Sequence, residues 1–316
     1  MKTYTDLSQA LKEQDKVQVL DLSNQGLTEI PVDIFQLTSL TELHLSENQI
    51  REIPLELFQL TSLTELGLAY NQIQVIPSEI SQLTSLTRLS FLGNQIEVIP
   101  PELFQLTNLT QLRLGGNQIE VIPPELYQLT NLTRLHLAYN QIETIPPEIG
   151  RLTNLTRLRL GGNQIQVIPP ELCQLTNLTV LGLAYNQIEV IPPEVAQLTN
   201  LESLYLHSNL IKFLPTEIGN LINLTYLTLH KNKLINLPAE INKLTKLQSL
   251  NLYQNRFQKF PVEVTKLSNL RELHLDNNQI RSLPVTIKNL INLNSGLNVR
   301  GEKNILEPIQ PHSFSS

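Results

Sequence analysis

The chain has few of the residues that mark disulfide-stapled, membrane-spanning or nucleic-acid-binding proteins. Its single cysteine, Cys173, cannot form an internal disulfide, so an oxidising compartment is not required. No apolar run reaches the ~20 residues of a membrane span, and residues 1–16 have no signal-peptide core. The net charge of −6 has the opposite sign to the basic surface that general nucleic-acid binding needs. We therefore expect a cytoplasmic protein that binds neither membranes nor nucleic acid.

Catalytic and cofactor motifs are also missing. The sequence contains no HExxH, no nucleophile elbow and no GxxxxGK[ST] loop. The glycine pairs at 115–116 and 161–162 lack the context of a nucleotide site, and we expect them to relieve crowding beside Tyr139 and Tyr185. His207 and His230, 23 residues apart, could share a metal but have no clear third ligand. We expect no catalytic residue, no metal site and no cofactor.

The dominant feature of the sequence is one unit repeated without insertion. The unit LTQLRLGGNQIEVIPPELYQLTN, which begins at Leu109, recurs every 23 residues and carries an asparagine column from Asn48 to Asn278. Twelve such units fill roughly residues 17–290, which predicts one solenoid rather than several globular domains. We expect a helical cap in residues 1–16 and an irregular cap and tail in residues 291–316.

Each position of the unit suggests a structural role. Leu112 and Leu114 alternate with polar residues, which predicts a short half-buried strand. Asn117 follows this strand, and we expect its amide to bond backbone groups of neighbouring units in a buried ladder. The next segment, Ile-Pro-Pro-Glu, places a carboxylate at a helix-like first turn, and Cys173 is expected to pack beside such a turn. Five Asn-Leu-Thr triplets are interpreted as by-products of the repeat rather than glycosylation sites; they begin at Asn108, Asn131, Asn154, Asn177 and Asn223.

These residues resemble the 23-residue class of leucine-rich repeats, LxxLxLxxNxIxxIPxxLxxLxx. They are most similar to repeats of bacterial proteins, including the repeats that precede the GTPase of Roco-type proteins. The resemblance implies an α/β solenoid, a right-handed leucine-rich-repeat horseshoe of about 12 repeats. Parallel strands would line its concave face and short 3₁₀ or extended segments its convex face, and partners would bind the concave face. Two functions stay open: a non-enzymatic protein-interaction scaffold in signalling, and the sensor or dimerisation region of a truncated Roco-like GTPase.

The variable strand positions are where specificity is expected, because the fixed positions make the fold. The N-terminal third of these positions is acidic, the centre is rich in arginine, and the C-terminal third is rich in tyrosine and histidine. Arginine and tyrosine dominate interface hot spots. The predicted partner-binding residues are Arg88, Arg113, Arg134, His136, Arg157, Arg159, Tyr185, Tyr205, His207, Tyr226, His230 and Tyr253.

The expected partner is a protein, with an acidic surface as the complement of the central arginines. The protein itself is expected to be a monomer or a weak homodimer. Two other interpretations remain. The strand faces could carry these residues only because a solvated surface needs polar side chains. The arginines could instead bind a polyanion, which would give a steep salt dependence of binding.

Overall fold

The computed structural model describes residues 2–288, 290 and 298–300, the last three by their backbone. The chain divides into two compact units, residues 1–187 and 188–316. Both units are solenoids in which parallel strands of two or three residues alternate with 3₁₀ segments. Within the described ranges, no helix has the length and apolar character needed to cross a membrane.

In residues 2–187, nine strands pair in parallel in chain order. They are β1 (Thr3–Tyr4), β2 (Val19–Asp21), β3 (Glu42–His44), β4 (Glu65–Gly67), β5 (Arg88–Ser90), β6 (Gln111–Arg113), β7 (Arg134–His136), β8 (Arg157–Arg159) and β9 (Val180–Gly182). Helix α1 (Leu7–Lys12) lies between β1 and β2. The 3₁₀ segments are Gln14–Lys16, Val32–Gln36, Leu55–Gln59, Ser78–Gln82, Pro101–Gln105, Pro124–Gln128, Pro147–Arg151 and Pro170–Gln174.

The first residues differ from the helical cap that the sequence predicts. Helix α1 covers only Leu7–Lys12, and the Asp6 carboxylate caps it by accepting a hydrogen bond from the Gln9 backbone N–H at 2.9 Å. Thr3–Tyr4 form strand β1, which the sequence pattern does not predict. Because β1 pairs with β2, backbone groups that would otherwise form an open edge are hydrogen-bonded.

In the described part of the second unit, five strands follow the same plan. They are β10 (Ser203–Tyr205), β11 (Tyr226–Thr228), β12 (Ser249–Asn251), β13 (Glu272–His274) and β14 (Asn298–Arg300). Their 3₁₀ segments are Pro193–Gln197, Thr216–Asn220, Ala239–Lys243, Val262–Lys266 and Val285–Ile287.

Strand β14 corrects the expectation of an irregular structure throughout residues 291–316. Val299 pairs with Leu273, which lies 26 residues earlier instead of 23. This shift of three residues explains why Gly296 falls where a regular spacing would place the next leucine. The remaining residues of this predicted cap and tail lie outside the described ones.

The core of each repeat is a set of stacked aliphatic columns. Leu112 of β6 and Leu114 just after it are fully buried, as the alternating pattern predicts, and so are Ile119 and Leu126. Cys173 is buried on the 3₁₀ side, in agreement with its predicted packing role. Each repeat buries these side chains only against its neighbours, at roughly 1.5–3 kcal/mol for a large aliphatic side chain.

The asparagine column forms the buried ladder that the sequence predicts. Asn117 accepts a hydrogen bond on Oδ1 from the Ile96 N–H at 3.0 Å, in the preceding repeat. Its Nδ2 donates to the carbonyls of Phe91 at 2.9 Å and Leu114 at 3.0 Å. The same three contacts recur at Asn140 and, in the second unit, at Asn232. One amide therefore satisfies the turn backbone of two consecutive repeats.

The Asn-Leu-Thr triplets form a second ladder, so their interpretation as by-products is incomplete. The Asn108 side chain donates to the Thr84 carbonyl at 2.9 Å, one repeat earlier, and Asn131, Asn154 and Asn177 repeat the contact. The Thr110 hydroxyl likewise donates to the Thr87 carbonyl at 3.1 Å. These exposed or half-buried polar residues join successive repeats at the entry to each strand.

Candidate partner-binding surface

Strands β6, β7 and β8 bring four of the predicted arginines onto one face. Parallel pairing places Arg134 opposite Arg157, and it places His136 between Arg113 and Arg159. All four arginines are exposed, whereas the leucine between the two outward positions of each strand is buried. Neighbouring strands lie about 4.8 Å apart, so the positive charges are close together. We call Arg113, Arg134, Arg157, Arg159 and His136 the arginine surface.

The arginine surface keeps its positive charge within the part of the chain that the structure describes. Among the described residues, none of its four arginines forms an ion pair with a carboxylate. Arg113 reaches only the amide oxygen of Gln111, at 3.4 Å. Like charges directly opposite on paired strands, as at Arg134 and Arg157, are destabilising by roughly 0.2–1 kcal/mol. An anionic ligand would remove this cost.

His136 adds no charge to the arginine surface at neutral pH. Burial lowers the pKa of its imidazole to about 4, and the positive charges of Arg159 and Arg113 contribute to the lowering. A neutral imidazole can both donate and accept a hydrogen bond. The centre of the surface is therefore a neutral polar group flanked by two cations.

Arg88 does not share the environment of the other arginines. Its guanidinium pairs with the Glu65 carboxylate on the adjacent strand β4 at 2.6 Å. Arg88 is thus already neutralised by the acidic N-terminal strands. The sequence shows that the two residues lie one repeat apart, but it does not show which rotamers bring them together.

Exposed tyrosines stand where the strands of the first unit end. Tyr139 and the predicted Tyr185 are 64% and 47% exposed, and both have positive φ values, 58° and 54°. The equivalent residues of other repeats, such as Glu47 and Tyr70, also have a positive φ, so this conformation belongs to the turn after each strand and does not itself mark a binding site. The Tyr139 ring lies against Gly162 so closely that an added Cβ there would be 2.5 Å from its Cδ1. The expected relief of crowding therefore holds for Gly162 and Tyr139; the contact of Gly116 is with Gly93 instead.

The predicted residues of the second unit form a separate cluster on β10–β12 and the residues that follow these strands. His207 and His230 stack with their ring centroids 4.2 Å apart and their planes within 9° of parallel. His207 Nδ1 is 2.9 Å from the Thr228 hydroxyl, and Tyr253 accepts a hydrogen bond from Asn277 at 3.0 Å. We call Tyr205, His207, Tyr226, His230 and Tyr253 the histidine–tyrosine surface.

The stacking of the two histidines argues against a metal between them. The lone pairs of an imidazole lie in the ring plane, so parallel stacked rings do not direct their nitrogens at a common point. Burial and the neighbouring His207 also lower the pKa of His230, to about 4. The pair therefore offers neutral, aromatic contact area at physiological pH.

Comparison with protein families identifies the repeat. A leucine rich repeat model matches overlapping segments at residues 15–73, 38–96, 61–119, 84–142, 107–165, 130–188, 153–211 and 176–234. A second model, described as a leucine-rich repeat region, matches residues 211–306. The chain belongs to the leucine-rich-repeat family. The predicted α/β solenoid with parallel strands and 3₁₀ segments is confirmed. The search of curated proteins found no match.

Solved leucine-rich-repeat proteins share this fold. A leucine-rich-repeat protein of Leptospira interrogans is 32% identical, with a TM-score of 0.70, over 95% of this chain and 100% of that one. An internalin of Listeria monocytogenes, InlF, is 30% identical, with a TM-score of 0.82, over 92% of this chain and 83% of that one. The plant peptide hormone receptor RGFR1, solved in complex with RGF2, is 31% identical, with a TM-score of 0.78, over 96% of this chain and 49% of that one. Leucine-rich repeats are thus typical of interaction modules rather than of enzymes.

Proposed function

We propose that this protein is a non-enzymatic scaffold that binds an acidic protein partner through the strand face of its repeats. In the horseshoe that the family resemblance implies, the strand face would be the concave side. The observation that carries the proposal is the concentration on β6–β8 of four exposed arginines that pair with no carboxylate of the described residues. A repeat protein has no structural need for them, because the buried leucines and asparagines already make the fold.

The arginine surface has the composition of a binding hot spot. Arginine and tyrosine are enriched among the interface residues whose truncation to alanine weakens binding most. Tyr139 and Tyr185 lie at the strand ends of the same unit as the arginines. Carboxylates of a partner would form charge-assisted, bidentate hydrogen bonds with the guanidinium groups. They would also offset the repulsion between Arg134 and Arg157.

Affinity capture from the native lysate, followed by quantitative mass spectrometry, tests this proposal. We expect Arg113→Glu/Arg159→Glu to lose the principal partner of the wild-type protein, because the reversed charges repel an acidic surface. Arg51→Glu/Arg151→Glu is the matched control: it makes the same charge change at two arginines outside the strands. Recovery of the same partner in equal amounts by the wild type and the strand-face variant would contradict the proposal.

Salt dependence separates a protein partner from a polyanion at the same surface. Binding of a polyanion would weaken steeply as salt rises, with a slope set by the number of contacted charges. We expect a shallower salt dependence for a protein interface that also buries tyrosine rings.

The alternative function, a sensor or dimerisation region in a Roco-like GTPase, would use the same strand face. The reading frame after Ser316 distinguishes these two settings.

A further inference from the structure

We propose that Glu42, His44 and Glu65, on strands β3 and β4, form a binding site for a first-row divalent cation such as Zn²⁺. Each residue offers one ligand atom, and the three atoms all lie within 4.8 Å of one another. The site would lie among the acidic N-terminal strands, on the same face as the arginine surface but with the opposite charge. It is independent of the partner proposed above.

Strand pairing produces the cluster. Parallel register places Glu42 directly opposite Glu65 and places His44 opposite Gly67. Glu42 and His44 belong to the same strand and project to the same side, with the buried Leu43 between them. Two carboxylates and one imidazole are thereby held by adjacent strands rather than by a mobile loop.

The three side chains are more enclosed than ordinary surface charges. Their exposed fractions are 30% for Glu42, 28% for His44 and 23% for Glu65. Two like charges opposite each other on paired strands are unfavourable, and partial burial increases the cost of each. His44 Nε2 lies 3.7 Å from Glu42 Oε2, which gives only a long contact. Arg88 offsets the charge of Glu65, and a dication would also neutralise the charge of Glu42.

Small movements would complete the coordination sphere. Zinc binds imidazole nitrogen and carboxylate oxygen at about 2.0–2.2 Å in a tetrahedron, which separates neighbouring ligand atoms by about 3.4 Å. Closing from 4.8 Å or less to that spacing requires shifts of about 1 Å or less per side chain. Gly67 leaves room for them, because a Cβ at that position would lie 3.2 Å from His44 Nδ1.

Arg88 leaves one oxygen of Glu65 available. Its guanidinium contacts Oε2 of that carboxylate, and a carboxylate has two oxygens that can accept or coordinate independently. Arg88 would therefore hold Glu65 in place from outside the coordination sphere, as second-shell partners of metal ligands do. A water molecule would supply the fourth ligand, since the described residues offer three.

The donor set selects the class of ion. Imidazole suits zinc, copper, nickel and iron, whereas calcium and magnesium prefer all-oxygen sites. The cluster is thus suited to Zn²⁺ and related first-row dications rather than to Ca²⁺ or Mg²⁺.

The chain contains its own control for this site. The sequence Glu-Leu-His of β3 recurs in β13 as Glu272-Leu273-His274. There the strands on either side present Ser249 and Asn298 opposite Glu272 in place of a second glutamate. The β13 motif therefore offers one carboxylate and one imidazole, and it is expected to bind the ion much more weakly.

Isothermal titration of metal-free full-length protein with Zn²⁺ alone tests the site. We expect one saturable ion per chain in the wild type. His44→Gln and Glu65→Gln are each expected to weaken binding at least about 10- to 100-fold, the loss typical of removing even an outer-shell partner. His274→Gln should bind like the wild type, and Mg²⁺ should not compete.

Three results would overturn the site: no saturable binding in the wild type, unchanged binding in His44→Gln, or an equal loss in His274→Gln. Thermal unfolding provides a second readout, because an ion that binds only the folded state stabilises it and raises the Tm, and tighter binding raises it further at a given ion concentration. Addition of Zn²⁺ should raise the Tm of the wild type and His274→Gln but not that of His44→Gln. Unfolding without Zn²⁺ shows whether each variant is folded.

Discussion

The arginine surface lies on β6–β8, whereas the histidine–tyrosine surface lies on β10–β12 and on the residues that follow these strands, and the two surfaces have different chemistry. In the first, four arginines project without carboxylate partners among the described residues. In the second, two neutral histidines stack on each other, and one of them contacts a threonine hydroxyl. The first surface therefore keeps positive charge that an anionic ligand could pair with, whereas the second already makes part of its contacts within the chain.

The largest expected difference between the two surfaces is in partner affinity. Arg157→Gln/Arg159→Gln removes two positive charges of hot-spot type, each worth about 2 kcal/mol in a desolvated interface. We expect the captured partner to bind at least about 100-fold more weakly. His207→Gln/His230→Gln should cost less than about tenfold, because it changes no charge at neutral pH. Titration calorimetry with the captured partner measures both variants, and equal losses would remove the distinction between the surfaces.

The interior of the repeats should respond in the same way in both units. Asn140→Ala and Asn232→Ala each leave buried backbone groups without their hydrogen bonds, so each should lower the free energy of unfolding by about 1–3 kcal/mol. Urea denaturation measures this loss. The exposed Asn131, which makes one contact to the preceding repeat, is the control and should cost less when changed to alanine. A similar loss at all three positions would show that burial does not determine the contribution.

Acidification should affect both surfaces through their histidines. The pKa of His136 and that of His230 are lowered from 6.5 to about 4 in the folded protein. Between pH 6.5 and 4 the unfolded chain takes up protons that the folded protein excludes, so the free energy of unfolding falls as pH falls. Above pH 6.5 both histidines are neutral in both states, so they add no pH dependence to stability. His136→Gln should flatten this dependence in unfolding measured at several pH values.

Proton NMR titration distinguishes the causes of the two shifts. Arg113→Gln/Arg159→Gln should raise the pKa of His136 towards 6.5, because two of its neighbouring charges are removed. The pKa of His230 should not change, since its lowering arises from burial, His207, Lys231 and His274. An unchanged His136 pKa would mean that burial alone keeps it neutral.

The smallest expected effect is on the stability of the arginine surface itself. Arg157→Gln removes a charge directly opposite Arg134 and should raise the free energy of unfolding by about 0.2–1 kcal/mol at low salt. High salt should reduce the gain, because exposed charges are screened. Tyr226→Gln, at the equivalent position of β11, has no such repulsion to relieve. Melting curves at two salt concentrations detect the difference, and a loss of stability in Arg157→Gln would show that the arginine packs favourably.

The sequence predicted the strands and the buried ladder because both follow from the 23-residue spacing. Leu112, Leu114 and Asn117 occupy the places their pattern assigns. Strand β14 was not predicted, because its register is shifted by three residues and its strand contains Val299 instead of leucine. A search at a fixed spacing of 23 residues finds the regular repeats, but it does not find a strand that is displaced from that spacing.

The candidate site was only partly predictable for a different reason. The column of each variable residue follows from spacing, so the arginines and histidines were assigned to the strand face from the sequence. Which side chains meet depends on rotamers: Arg88 binds Glu65, and His207 stacks on His230. The contact between Asn108 and the Thr84 carbonyl does not follow from the sequence, because an exposed asparagine can equally well be solvated and its partner is a backbone group one repeat away.

Arginine footprinting of the complex tests the central claim most directly. The protein is treated with phenylglyoxal with and without the captured partner, and modified arginines are quantified by mass spectrometry. We predict that the partner protects Arg113, Arg134, Arg157 and Arg159 and leaves Arg51 and Arg151, outside the strands, as reactive as before. Protection of Arg51 and Arg151 with no protection of the four strand arginines would contradict partner binding by the strand face.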